Sequence, residues 1–159
     1  MTVFDVGMGP TPMLYFSTYE LGADAGVMVT GSHNPPNYNG LKMMLKGGPF
    51  FAGDIQTLGA SARDYVSRPA TGPVEERPVF DRYIETLVGA YREGRPLKVV
   101  WDAGNGVAGP ATEALVDRIP GTHTCLFTEV DGTFPNHHPD PTVEKNLVDL
   151  KQAVKQQGA

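Results

Sequence analysis

One cysteine, Cys125, among 159 residues leaves no internal disulfide framework and no multi-cysteine zinc site. Charge is sparse as well. Only 19% of residues are Asp, Glu, Lys or Arg, and the balance of 13 basic to 18 acidic gives a net charge of -5. With a pI of 5.3, this argues against a general nucleic-acid surface. No run approaches the roughly 18 apolar residues that a membrane-spanning helix needs, so no membrane partner is expected. The N-terminal Met1-Thr2-Val3-Phe4-Asp5 has neither the basic region nor the apolar stretch of a secretion signal. A cytoplasmic location fits that reading and the lone thiol. What is present suits a folded chain: 40% hydrophobic residues and a mean hydropathy of -0.23. The 19 glycines and 14 prolines fall in clusters, and the clusters carry the information.

The pattern along the chain is α/β. Thr2 to Val6 is a short strand, and Pro10-Thr11-Pro12 sets up a helix over Met13 to Leu21, with Gly22 as its stop. Ala25 to Val29 reads as a buried strand and Leu41 to Leu45 as a second, with two prolines forcing irregular backbone between Ser32 and Gly40. A helix is predicted over Asp54 to Val66. Ser67 to Pro78, with three prolines and no apolar run, is the best linker. Beyond it come a helix over Val79 to Tyr91 and a strand at Leu97 to Trp101, uninterrupted as a buried parallel strand should be. A helix at Val107 to Ile119, a strand at Thr124 to Val130 and a helix at Asn146 to Gln157 complete the reading. Helices normally return to a sheet through another strand. None follows the last helix, so the expectation is a piece of a longer enzyme.

The most specific segment is the loop around Ser32. A serine at the carboxyl end of an apolar strand lies where α/β sheets bind ligands. Small neighbours, Thr30 and Gly31, admit a ligand to the backbone. His33 and Asn34 supply donors, and Lys42 supplies a positive charge from the next element. Hydroxyl, imidazole and ammonium around one loop suit phosphate chemistry, because the hydroxyl can carry a phosphoryl group and the cations offset its charge. A plain polar loop is the alternative. An acyl-transfer serine is another, although Asn34 stands where the usual nucleophile elbow has glycine.

The unbroken string Thr30-Gly31-Ser32-His33-Asn34-Pro35-Pro36-Asn37-Tyr38-Asn39-Gly40 resembles the phosphoserine loop of the α-D-phosphohexomutases, in the bacterial phosphomannomutase/phosphoglucomutase branch. Val6-Gly7-Met8 with Pro10-Thr11-Pro12, Asp102 through Gly109, and Val130-Asp131-Gly132 through Asp140-Pro141 resemble the same branch in the same order. The resemblance implies two incomplete three-layer α/β domains. Residues 1–76 would be the later part of a first domain, and residues 79–159 most of a second. It implies transfer of phosphate between the 1- and 6-hydroxyls of mannose or glucose phosphates, through a hexose 1,6-bisphosphate. Ser32 matches the phosphoryl carrier, His33 its neighbour in the site, and Lys42 the residue that assists proton transfer. It also implies Mg²⁺ against the phosphoserine, but the accompanying Asp-x-Asp-x-Asp loop is not in this sequence. Metal binding by Ser32's phosphate alone is therefore expected to be weak or absent, and the isolated chain is expected to be inactive.

Gly104-Asn105-Gly106-Val107-Ala108-Gly109 is also a literal G-x-G-x-x-G between a strand and a helix, with Glu129 placed for a ribose contact. Dinucleotide binding by Gly104, Gly106 and Gly109 is thus an alternative. The plain reading is a tight turn that needs positive φ and close packing. A non-catalytic phosphosugar-binding protein is the other alternative. His137-His138 with Asp131 and Asp140 reads as a structural loop rather than a metal site, since adjacent histidines rarely face one ion. Cys125 and Trp101 read as core, and Phe4, Tyr15, Phe16 and Tyr19 as packing.

Overall fold

The computed structural model describes all residues except Pro36, Gly47, Arg68, Ala70 and Glu93. Pro36, counted with the irregular serine loop, and Arg68 and Ala70, counted with the linker, lie outside the described residues. The architecture is mixed α/β. Its first half runs β1 (Val3–Asp5), α1 (Thr11–Glu20), β2 (Ala25–Val29), β3 (Leu41–Leu45), β4 (Gly48–Phe50), α2 (Gly53–Ala62) and β5 (Val74–Glu76). The second half runs α3 (Phe80–Ala90), β6 (Lys98–Asp102), α4 (Gly109–Val116), β7 (Thr122–Leu126), a 3₁₀ turn (Glu144–Leu147) and α5 (Val148–Gln157). Strands β1 and β5 pair in parallel, β2-β3-β4 form an antiparallel meander, and β6 pairs with β7 in parallel. Among the described residues no helix is long and apolar enough to cross a membrane.

Several expectations are corrected. The linker segment holds β5: the Arg77 amide donates to the Asp5 carbonyl at 2.7 Å, and Arg77 pairs with Glu75 at 2.9 Å. A three-residue strand between Pro73 and Pro78 is too short for its periodicity to show. β2 is half-exposed rather than buried, because antiparallel pairing leaves Ala25, Val27 and Val29 on the face away from α1. α2 stops at Ala62, short of Val66, and none of its residues is buried. β7 ends at Leu126, not Val130, because Phe127 takes a left-handed φ of 52° that a strand cannot hold. The last helix begins as a 3₁₀ turn and becomes α-helical only at Val148.

The core joins the two halves. Met13 from α1 packs with Val79, with Tyr83 and Ile84 of α3, and with Ala111 of α4. The Phe16 and Tyr83 ring centroids lie 5.6 Å apart. Full burial of such side chains contributes about 1.5–3 kcal/mol each. Tyr19, expected as packing, is 67% exposed. Trp101 and Cys125 are half-buried rather than core. Burial, with Glu113 and Asp117 nearby, pushes the Cys125 thiol up.

Candidate functional site

The serine loop closes an antiparallel hairpin; it does not lead from a parallel strand into a helix. Val29 faces Leu41 in register, and the Thr30 amide donates to the Gly40 carbonyl at 2.9 Å, pinching the loop at its neck. Inside it the Asn34 amide reaches Gly31 O at 3.1 Å and the Tyr38 amide reaches Pro35 O at 2.9 Å. A Cβ at position 31 would lie 2.7 Å from the Tyr38 carbonyl oxygen, so only glycine lets the loop fold back this tightly. Ser32 sits at φ 53°, and its amide is held by the Thr30 hydroxyl at 3.0 Å. A non-glycine residue held left-handed costs on the order of 1–3 kcal/mol, a strain found most often at functional sites.

Hairpin register returns Lys42 to this end of the molecule, opposite Met28. Its Nζ donates to the Thr11 hydroxyl at 3.1 Å. Thr11 opens α1, whose first turn carries no acid. The positive end of that helix and the ammonium therefore act on the same space. Among the described residues, no carboxylate forms an ion pair with Lys42.

The opposite wall is the end of β6. Gly104 and Asn105 both take left-handed φ, 51° and 57°. This turns the chain so that Asp102 Oδ1 accepts the Gly104 amide at 2.9 Å. Buried Asn105 then straps the loop that follows β7. Its amide donates to Phe127 O at 2.8 Å, its side chain donates to Glu129 O at 2.9 Å, and Asn136 donates to its Oδ1 at 2.7 Å. His137 reaches Asp102 Oδ2 at 3.0 Å, with the two side chains only 14% and 7% exposed. The two walls meet where His33 Nδ1 lies 2.5 Å from Pro139 O. The cleft between them has a volume of about 560 Å³.

Ser32, His33 and Lys42 all line this cleft. Sequence reasoning passed over Thr11, Asn105 and the Asp102–His137 pair. Asp102 lies in a segment that reads as a turn, and His137 in one that reads as a structural loop. Nothing in the spacing of residues 35 positions apart joins them. The glycines of the second half have packing reasons of their own: a Cβ on Gly109 would stand 1.9 Å from Thr128 O. Among the described residues no group of three His, Cys, Asp or Glu side chains could hold a metal ion.

Burial on its own lowers the His137 pKa, but the His138 carbonyl, Asp102 and Asp149 outweigh it and leave the value raised. Both ring nitrogens face acceptors, so the doubly protonated ring satisfies both. A raised value means this stabilisation is fully present below the unfolded imidazole value of about 6.5 and is lost as pH rises through the folded one. His137→Ala is expected to cost about 2 kcal/mol at pH 6, and the melting-temperature deficit is expected to shrink by pH 9. A deficit that stays constant across that range would show that the charge contributes nothing. Asp131 and Asp140 lie below the usual carboxylate range, because each accepts the hydroxyl and amide of the threonine two residues on.

Comparison with known proteins adds a consistent picture. Residues 1–65 match the family description "Phosphoglucomutase/phosphomannomutase, alpha/beta/alpha domain I", and residues 81–159 match domain II of the same family. A phosphoglucomutase of Neisseria meningitidis is 48% identical over 96% of the chain. A phosphomannomutase/phosphoglucomutase of Pseudomonas putida is 44% identical over 99% of it. The chain spans about a third, 34%, of the length of each. The crystal structure of a phosphoglucomutase/phosphomannomutase family protein from Burkholderia thailandensis matches the whole chain with a TM-score of 0.89 at 43% identity. The match covers 36% of that structure.

Proposed function

The chain belongs to the phosphoglucomutase/phosphomannomutase family, and from that premise we propose that it carries the phosphoryl-bearing side of a hexose-phosphate mutase site. In this reading residues 1–76 are the later part of the first domain and residues 79–159 most of the second. Ser32 bears the phosphoryl group. The bond from phosphorus to Ser32 Oγ breaks as one forms to a sugar hydroxyl, giving a hexose 1,6-bisphosphate. The sugar hydroxyl gives up a proton and the serine oxygen gains one. After the sugar turns round, Ser32 takes back the other phosphoryl group. The substrates are phosphates of glucose or mannose, and the setting is cytoplasmic.

The observation that carries the reading is the convergence of Ser32, Lys42 and the positive end of α1 on one cleft. A phosphoryl group brings roughly two negative charges, and the ammonium and the helix end both favour it. The hydrogen bond of Lys42 to Thr11, rather than to a carboxylate, supports the role proposed for it in proton exchange.

Magnesium does not fit the described residues by themselves. It favours six oxygens, usually including one or two carboxylates. The two carboxylates lining the cleft are already engaged: Asp102 with His137 and Gly104, Asp140 with Thr142. No step is routed through the ion.

Mass spectrometry of the protein purified from its own cells tests the proposal. Ser32 is expected to carry one phosphoryl group, and adding a hexose 1-phosphate is expected to remove it and yield the bisphosphate. A Ser32 that is never phosphorylated, in a protein that still binds sugar phosphates, selects the non-catalytic alternative.

A further inference from the structure

The contact between His33 and Pro139 joins residues 106 positions apart and has a chemical consequence for the cleft. A carbonyl oxygen only accepts hydrogen bonds, so at 2.5 Å His33 must place its proton on Nδ1. In a neutral ring the other nitrogen is then bare. Free imidazole side chains in water favour the opposite arrangement, with the proton on Nε2. The Pro139 carbonyl therefore imposes the less common tautomer on the residue beside Ser32.

The carbonyl is itself held in place. Two residues before it, His137 is clamped between Asp102 Oδ2 at 3.0 Å and the His138 carbonyl at 3.0 Å. Phe127 closes on the same ring edge-on, at 5.4 Å between centroids. On the other side Asp140 is engaged by Thr142, through its amide at 2.9 Å and its hydroxyl at 2.6 Å. That carboxylate does not compete for the His33 ring. Proline fixes φ at position 139, so the direction of the carbonyl follows from the anchoring of its two neighbours.

We propose that His137, through the Pro139 carbonyl, is a positioning residue that sets the His33 tautomer and presents a bare Nε2 as a hydrogen-bond acceptor in the cleft beside Ser32. The ligand it would meet is a hydroxyl group. On the mutase reading, on which the sugar's identity rests, this is a hydroxyl of the bound hexose. The tautomer itself does not rest on that reading.

Long-range proton–nitrogen correlation of the ¹⁵N-labelled protein tests this at pH 7.5 with no substrate present, with His33 assigned from the signals lost in His33→Gln. The expected spectrum has His33 predominantly protonated on Nδ1. His123, whose Nδ1 accepts from Trp101 Nε1 at 3.3 Å, shows the opposite pattern and serves as the internal reference. In His137→Ala, His33 is expected to move to a predominantly Nε2-protonated ring while His123 does not change. Pro139→Gly keeps the carbonyl but frees its backbone, and is expected to give a mixture; it decides the matter if His137→Ala does not fold. An Nε2-protonated His33 in the unaltered protein overturns the proposal, as does an unchanged His33 in the folded variants. Because no phosphoryl transfer is read, the mutase reading can fail while the tautomer stands, and the reverse.

Discussion

On the proposed mutase reading, Ser32→Ala in the protein as its own cells make it is expected to lower hexose-phosphate interconversion by three or more powers of ten, the order of loss seen when a covalent nucleophile is removed. In the proposed cycle the Ser32 oxygen is the atom that carries the phosphoryl group between the two steps, and alanine removes it. His33 and Lys42 remain, but the group on which the proposal has them act is gone. The backbone supplies a second readout. Ser32 holds a φ of 53°, which costs a non-glycine residue on the order of 1–3 kcal/mol. Ser32→Gly removes the hydroxyl and relieves that strain together, so it is expected to lose activity just as fully while melting no lower than the parent. The two variants thus part in stability and agree in activity. Coupled-assay turnover and a thermal melt on each protein check this. Activity within tenfold of the parent in either variant would falsify the assignment of Ser32 as the phosphoryl carrier.

How much of this was legible in the sequence depends on the distance over which each interaction acts. The helix at α1 and the strand at β3 were readable, since proline at a helix start and apolar runs act through neighbours along the chain. The cleft was readable in part. Ser32, His33 and Lys42 lie within eleven residues of one another in sequence, and a motif of that length names its own chemistry. The Asp102–His137 pair and the His33–Pro139 contact were not readable, because register and loop packing set them and no periodicity records either. β5 was hidden for a related reason. Val74–Glu76 carries two acids in three residues and pairs only because β1 lies beside it. The left-handed φ at Phe127, which ends β7 early, likewise comes from the turn it serves rather than from any preference of phenylalanine.

Gly109→Ala, one methyl group, is expected to be among the most damaging substitutions in the second half. The added Cβ would stand 1.9 Å from the Thr128 carbonyl oxygen and 2.6 Å from its carbon. Both are backbone atoms, with no flexible side chain to swing aside. Either α4 must lift from the chain beyond β7, or that chain must move and take the Asn105 straps at Phe127 and Glu129 with it. Overpacking of this kind costs about 3 kcal/mol, a fall of roughly 6–12 °C in melting temperature for a chain of this size. Gly89→Ala is the opposing control. Gly89 lies in α3, is exposed, and has open space where its Cβ would go. There alanine is expected to raise stability by about 0.5–1 kcal/mol through helix propensity. The pair also separates two explanations of the G-x-G-x-x-G string. If Gly109 serves helix packing, Gly109→Ala destabilises the protein with no nucleotide present. If it serves only to admit a pyrophosphate, the unliganded protein melts as before and a loss appears only in nucleotide affinity. Thermal melts of both variants without ligand decide between them, and the 1.9 Å approach requires the first outcome.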